Sequence, residues 1–286
     1  MKLKHLFFCL AIILLFAAAS FSQIVPLDEK FVADRAITTQ LRHEGVKYEM
    51  KRAVVWAEKD SLTQDEIKEF SSLVNQGIIG IEKYLSVKVD KKHYRAKKIE
   101  YFISSKAGIS HTSSEDKPFV YIRPIKVKDK QAPYIHETTH VIAWKTESLW
   151  LSEGFASHVQ TYVSKHYGGY GGYPFNPENK DIDQLAKIIL KVEISKKVLP
   201  LIGLNGLPYS FNEEQSKMAS IVFEDRKVAA PAFYNLSESF VKFLVEKVGM
   251  KKLRKIYEAA DSQASILKLT GKIVDEWKTD WLKSLT

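Results

Sequence analysis

The spacing of hydrophobic residues predicts that the first half of the chain mixes strands with a helix. Apolar residues recur at helical spacing from residue 67 to residue 85, and Thr63 and Glu66 precede them at the spacing of a capping box. Runs rich in β-branched and aromatic residues predict strands at 48–57, 98–104 and 119–127. The predicted order is therefore strand, helix, strand, strand.

Helical patterns dominate the second half of the chain. They predict helices over 133–144, 152–166, 181–191, 237–246, 251–259 and 266–285. Gly249 marks the end of one of these helices. Residues 199–220 contain proline, glycine and asparagine and are predicted to be irregular. The pattern indicates an α+β fold, with a mixed subdomain over 23–132 and a largely helical one over 133–286.

The first 22 residues have the features of a Sec-type signal peptide. Lys2 and Lys4 precede an apolar run of about 14 residues, roughly 21 Å as a helix, which is too short for a hydrocarbon core of ~30 Å. Small residues at positions 20 and 22 predict cleavage after Ser22. The mature chain would be periplasmic or secreted and have no membrane span; an uncleaved anchor is the alternative. Because the single cysteine, Cys9, lies in this segment, no disulfide is expected.

The chain is basic. Its formal net charge is +9, and removal of Lys2 and Lys4 would leave +7. Basic residues cluster at 88–98 and 126–130, where they could attract anionic polymers, lipid headgroups or acidic peptides. A solvated lysine-rich surface explains them more simply. No nucleic-acid motif accompanies the charges, so nucleic acid is not an expected partner. We expect a monomer.

The stretch H-E-T-T-H at 136–140 is the strongest chemical signal in the sequence. Pro133 favours a helix start just ahead of it. On a helix, His136 and His140 lie on one face and can hold one metal ion. Glu137 is turned about 100° away from His136. This offset keeps the Glu137 carboxylate off the metal but close to a water that the metal would activate.

A catalytic zinc site needs a third protein ligand, because zinc takes three protein ligands and keeps one position open. Glu153 is the best candidate, with twelve residues between His140 and it. We expect Ser152 to cap a second helix that returns across the first and brings Glu153 opposite the histidines. His158 and His166 follow on that helix, but their spacing does not support a ligand role.

These two segments carry a family resemblance. H-E-T-T-H at 136–140, followed by W-L-S-E-G-F-A at 150–156, resembles the gluzincin metallopeptidases, whose third ligand is a glutamate. The closest pattern is that of the small secreted bacterial peptidase MA-like proteins and, more distantly, the aminopeptidase-N-like family. The resemblance implies a zincin-like fold, with a small mixed sheet backed by helices in the first half. It also implies one Zn²⁺ per chain on His136, His140 and Glu153, and a peptide or protein substrate.

The same resemblance implies roles in peptide hydrolysis. Glu137 would be the general base. A tyrosine near the start of a downstream helix would stabilise the oxyanion, and Tyr234 stands in that context, with Tyr209 as the alternative. The segment by which aminopeptidases read a free α-amino group is not found before His136. Ser157 stands where some gluzincins place a carboxylate that supports the metal site, so the partners that orient the histidines are not identified.

The strand predicted at 119–127 would border the cleft. As a sheet edge it could bind an extended peptide through backbone hydrogen bonds, and Pro124 suits an edge position. Two other functions stay open. The chain could be a zincin-fold binding or scaffold protein, although an intact Glu137 argues against a purely structural metal. It could also be a zinc hydrolase that acts on a bond other than a peptide bond.

Overall fold

A computed structural model describes residues 27–88, 98–113, 117–143, 146–170, 175–176 and 180–286, with side chains from residue 33 onward except that of Tyr209. The predicted signal peptide over 1–22 lies outside the described residues. Within them the chain forms twelve α-helices and one five-stranded sheet, and the sheet lies in the N-terminal half. The α+β fold class predicted from the sequence is therefore confirmed.

The sheet has strands of both directions. Its strands are β1 (Val46–Glu49), β2 (Ala53–Ala57), β3 (Ile99–Ile103), β4 (His111–Thr112) and β5 (Phe119–Ile122), and their order across the sheet is β1-β2-β3-β5-β4. The three central strands are parallel, whereas β1 and β4 pair antiparallel at the two ends. The short strand β4 therefore forms one end of the sheet.

The first five helices lie between residues 27 and 167. They are α1 (Leu27–Glu44), α2 (Gln64–Leu85), α3 (Pro124–Lys128), α4 (Tyr134–Ile142) and α5 (Leu149–Tyr167). The capping box predicted for α2 is confirmed, because Thr63 Oγ1 accepts from the Glu66 backbone N–H and the Glu66 carboxylate accepts from that of Thr63. Helix α5 packs against α2, α4 and one long C-terminal helix, which makes it the centre of the molecule.

Seven further helices build the C-terminal half. They are α6 (Ile182–Ile189), α7 (Ile194–Val198), α8 (Glu213–Glu224), α9 (Ala229–Val248), α10 (Met250–Tyr257), α11 (Ser262–Thr270) and α12 (Val274–Ser284). Helix α9 is the long helix that lies along α5, and it also contacts α6, α7 and α8. The predicted end at Gly249 is confirmed, since the Gly249 N–H closes the last turn of α9 on Val245 O.

The sheet buries both of its faces. Alternate residues of a strand point to opposite faces, so Tyr101 and Ile103 face α2 while Phe102 faces α1. The α2 side belongs to the main core, which continues without a break from the sheet to Trp281 in α12. This core stabilises both halves together, since every helix except α1 contributes apolar side chains to it.

Two strand predictions are wrong in detail. Residues 48–57 form the hairpin of β1 and β2 instead of one strand, with a turn at 50–52. Residues 119–127 extend only to Ile122, because Pro124 opens α3 as its first residue. Strand β5 pairs with β3 on one side and β4 on the other, so it has no free edge for a peptide. The sheet edge at this end is β4.

Three helical predictions also need correction. Ser152 does not cap α5, which begins one turn earlier, because Leu149, Trp150 and Leu151 are buried in the main core and extend the helix. The predicted irregular region 199–220 contains the first part of α8, capped by Asn212. The predicted helix at 266–285 is two helices, α11 and α12, separated at Gly271, which ends α11 in a left-handed conformation.

The described segment before β1 is helical. Residues 23–47 gave no clear prediction, and the structure places α1 there from Leu27 to Glu44. No helix in the described part of the chain combines the length and the apolar composition needed to cross a membrane.

Candidate metal centre

The three predicted metal ligands lie together. His136 and His140 are four residues apart on α4, and Glu153 is in the second turn of α5. The Nε2 atoms of the two histidines are 3.1 Å apart, and the Glu153 Oε2 atom is 3.2 Å from His136 Nε2 and 3.8 Å from His140 Nε2. Within the described residues these three form the one group of histidine, cysteine and acidic side chains close enough to share an ion.

These distances fit a metal ion. Zinc bonds to nitrogen and oxygen ligands are about 2.0–2.1 Å, so a tetrahedral site separates its ligand atoms by roughly 3.3 Å. The three measured separations lie around that value, and two imidazoles with one carboxylate form a donor set that zinc accepts. His136 is buried, while His140 and Glu153 keep some exposure toward a cleft. Any ion held there would have an open side.

Helix α4 is held in place by two hydrogen bonds from neighbouring elements. Pro133 offers no side-chain cap to its first turn, so the His136 backbone N–H has no partner within the helix. The buried side chain of Gln160 on α5 accepts that N–H at 2.9 Å. On the other side, the Thr138 hydroxyl bonds to the hydroxyl of Tyr101 on β3. The ligand helix is thus fixed between the sheet and α5.

The Glu153 carboxylate is prepared to be ionised. Burial raises the pKa of Glu153, but hydrogen bonds and positive charge from His136 and His140 outweigh burial, so the pKa lies well below its usual range. A metal ligand must be deprotonated. The arrangement therefore favours the charged form of Glu153 even before an ion binds.

Ser157 is a partner of His136 that the sequence did not identify. Its Oγ atom lies 3.4 Å from His136 Nδ1, and both residues are buried. When Nε2 binds a metal, Nδ1 carries the proton and needs an acceptor, which also fixes the orientation of the ring. The i, i+4 spacing from Glu153 to Ser157 was the available signal, because it places both side chains on one face of α5.

Glu137 and Tyr234 line the same cleft as the three ligands. Glu137 is buried in the first turn of α4. Tyr234 is in the second turn of α9, and its ring centroid is 6.2 Å from that of His136 and 4.9 Å from that of Phe175. The structure therefore brings together the predicted base, the predicted oxyanion donor and the three predicted ligands.

The cleft has a volume of about 570 Å³, which suits a ligand the size of a few peptide residues. The sheet side contributes residues 108–112, which include strand β4, together with Arg123 and Lys126 of the β5–α3 corner. The helical side contributes Leu207, Phe223 and Arg226 in addition to Tyr234. Among these, Arg226 and the apolar residues were not predicted as part of the site, whereas Arg123 and Lys126 belong to the stretch 119–127 that was predicted to border the cleft.

The other candidate residues lie elsewhere or outside the description. The side chain of Tyr209 lies outside the described side chains, so its alternative role stays a prediction. His158 faces α2, where its Nε2 is 2.8 Å from the Tyr84 hydroxyl. Burial and then the charge of Lys242 lower the pKa of His158 to about 4. His166 lies near the exposed end of α5, where its Nδ1 is 2.7 Å from Tyr162 O. Neither histidine joins the metal cluster.

No protein-family model matches the chain, and no characterised protein matches its sequence. The resemblance to gluzincins therefore depends on the two motifs.

Proposed function

We propose that this protein is an exported zinc-dependent metallopeptidase of the gluzincin type, which hydrolyses peptide bonds with a water molecule and a glutamate base. One observation carries the proposal. Two imidazole nitrogens and a carboxylate oxygen converge within 4.8 Å at the floor of a cleft. Glu137, next to one ligand in the chain, lines that same cleft.

The proposed chemistry divides the work among the residues of the cleft. His136, His140 and Glu153 would hold the zinc ion, which supplies Lewis acidity and lowers the pKa of water to about 7. Glu137 takes the proton of the attacking water and passes it to the leaving amine. Tyr234 donates a hydrogen bond from its hydroxyl to the oxygen on which negative charge develops. Ser157 and Gln160 position His136.

The base role of Glu137 follows from its place in α4. A glutamate next to a ligand in the chain points about 100° away from it, so its carboxylate does not compete for the ion. A structural zinc site has no use for such a base. The buried position of Glu137 against an open cleft therefore supports hydrolysis more than simple metal storage.

Export and a monomeric state complete the proposal. The signal-peptide features of 1–22 support secretion or a periplasmic location.

The test is peptide cleavage by the zinc-loaded mature protein, with Glu137→Gln as the matched variant. A diverse peptide mixture is incubated with each protein, and new termini are identified by mass spectrometry. We expect cuts from the wild type only, with turnover lowered about 10²- to 10⁴-fold by Glu137→Gln. Zinc content, measured in the same samples, should be equal.

The outcomes separate the rival functions. Equal cutting by both proteins would assign the cleavage to a contaminant and contradict the proposal. Zinc binding without cuts, together with hydrolysis of ester or amide probes that are not peptides, would favour a non-peptide zinc hydrolase. Zinc binding without any hydrolysis would favour a binding or scaffold protein.

A further inference from the structure

The charges around the cleft are unbalanced. The described residues that line it include three cations, Arg123, Lys126 and Arg226, and two carboxylates, Glu137 and Glu153. Both carboxylates already have a task, one as the proposed base and the other as a ligand. With a divalent ion at the centre, the positive charge of the lining would exceed the negative charge by three.

The three cations have no acidic partners among the described residues. Lys126 Nζ is 3.4 Å from Gln131 Oε1, and Arg123 Nη1 makes a long contact of 3.5 Å to Gly108 O. Neither contact neutralises a charge. Arg226 lies in the turn between α8 and α9. There Asp225 accepts the backbone N–H groups of Lys227 and Val228, which fixes the turn without using the Arg226 side chain.

Apolar side chains lie beside these cations. Phe175, Leu207 and Phe223 line the cleft, and so does Ile109, which is 49% exposed. A ligand that enters would displace water from these surfaces, and charge interactions strengthen where water is excluded. The lining of the cleft thus fits a peptide ligand that has both apolar groups and negative charge.

We propose that the cleft selects peptides with a carboxylate near the bond that is cut, and that Arg226 on the helical side and Arg123 with Lys126 on the sheet side bind it. This inference deepens the proposed function and rests on it, because selection near a bond that is cut requires a peptidase. The carboxylate can be an aspartate or glutamate side chain or a free C-terminus, since the chemistry of recognition is the same.

The test compares matched octapeptides that contain apolar residues and either Asp or Asn at each position in turn, with the C-terminus free or amidated. Wild-type protein is expected to cut the peptide that has the recognised carboxylate, either Asp rather than Asn or a free rather than an amidated C-terminus, with a kcat/KM roughly tenfold above that of its partner. This preference should shrink as salt is raised. A rate that falls only on amidation would assign the carboxylate to the C-terminus, and a rate that falls only on Asp→Asn would assign it to a side chain.

The matched variants are Arg226→Gln and Lys227→Gln, which remove one charge each from neighbouring positions of the same exposed turn. Only Arg226 lines the cleft. Arg226→Gln should abolish most of the preference, while Lys227→Gln should keep it. Lys126→Gln with Lys128→Gln forms the same comparison on α3. Equal rates in the wild type for Asp and Asn peptides and also for free and amidated C-termini, or equal effects within both pairs of variants, would overturn the proposal.

A binding measurement separates this inference from the proposed function. Fluorescein-labelled versions of the same peptides are titrated with zinc-loaded protein, and fluorescence anisotropy gives their affinities. Tighter binding of the Asp peptides without cleavage would support carboxylate recognition while contradicting a peptidase. Cleavage with no preference in rate or affinity would support the peptidase and overturn the inference.

Discussion

Gly154 lies directly against the backbone of Ser237, at the crossing of α5 and α9. A Cβ atom added at Gly154 would be 2.5 Å from Ser237 O and 2.6 Å from its carbonyl carbon. Both partners are backbone atoms, so rotation of a side chain cannot relieve the clash. Gly154 follows the ligand Glu153 in the chain, and Ser237 lies less than one helical turn after Tyr234. This contact therefore sets how closely α5, which contains Glu153, approaches α9, which contains Tyr234.

Gly154→Ala should destabilise the protein despite its better helix propensity. We expect the free energy of unfolding to fall by about 1–3 kcal/mol, as for other overpacked sites. Chemical denaturation of the two proteins measures this. In an open helix the same change would stabilise by up to ~1 kcal/mol, so a gain in stability would mean that the two helices separate at no cost.

Glu153→Ala should remove metal binding. Loss of a direct ligand is expected to lower zinc affinity by more than roughly 100-fold, because the loss of a residue that merely supports a ligand already costs 10- to 100-fold. Competition with a chromogenic chelator gives the affinity. Glu147→Ala, at an exposed position shortly before α5, is the control and should bind one zinc per chain like the wild type. Full affinity in Glu153→Ala would exclude Glu153 from the ligand set.

Ser157→Ala tests the support of His136. The variant loses the oxygen that faces Nδ1, so we expect zinc affinity to fall about tenfold while the fold stays intact. The chelator competition used for Glu153 measures it. Ser164 lies two turns further along α5, and its hydroxyl donates a hydrogen bond to Tyr170 O. Ser164→Ala should therefore leave zinc affinity unchanged. An identical affinity for both variants and the wild type would show that Ser157 does not orient the ring.

Tyr234→Phe keeps the ring but removes the hydroxyl. If that hydroxyl stabilises the oxyanion, kcat should fall by about 10²- to 10³-fold with little change in KM, because the interaction strengthens only in the transition state. Steady-state kinetics on the best peptide substrate separates the two constants. A rise in KM at constant kcat would instead make Tyr234 a residue for substrate binding.

Glu238 should make stability depend on pH. Its carboxyl is buried between α9 and α5, where it accepts a hydrogen bond of 2.6 Å from Thr161. Burial raises the pKa of Glu238 from 4.5 to about 7. Between these two values the folded state holds a proton that the unfolded state has lost, so stability falls as pH rises, by about 3 kcal/mol in total.

Glu238→Gln removes this titration. Denaturation at pH 4.5 and pH 8 should show that the variant gains stability relative to the wild type as pH rises, by about 2–3 kcal/mol. Glu246→Gln, exposed on the same helix, should follow the wild type at both values. Parallel pH profiles for Glu238→Gln and the wild type would indicate that Glu238 is ionised in the folded protein across this range.

Local patterns predicted the elements that depend on local interactions. The capping box of Thr63 and Glu66 is such a case, because its two hydrogen bonds join residues three apart. The three candidate ligands were also predictable, since they come from two helices that follow each other directly. The start of α5 was not, because burial of Trp150 against Phe240, with ring centroids 5.0 Å apart, extends the helix beyond its local signal.

The walls of the cleft could not be predicted in the same way. Arg226 and Phe223 reach the site only because α8 and α9 pack as they do, and no periodicity in the sequence encodes which distant turn lies above the ligands. The free sheet edge was misplaced for a similar reason. Strand β4 has only two residues, His111 and Thr112, too few to give a strand pattern, yet it covers β5.

The residues of the site lie far apart in the sequence, and this separation affects the order in which the protein folds. The ligands lie within the α4–α5 pair, whereas Tyr234 enters from α9 after some eighty intervening residues. Closing a short loop costs less chain entropy than closing a long one, so we expect the nascent protein to capture zinc before its cleft is complete. Pulsed hydrogen exchange with zinc present would then show protection of α4 and α5 ahead of α9. If the proposed function is right, the protein would hold its ion early and become able to cut a peptide only in the last step of folding, when Tyr234 joins the site.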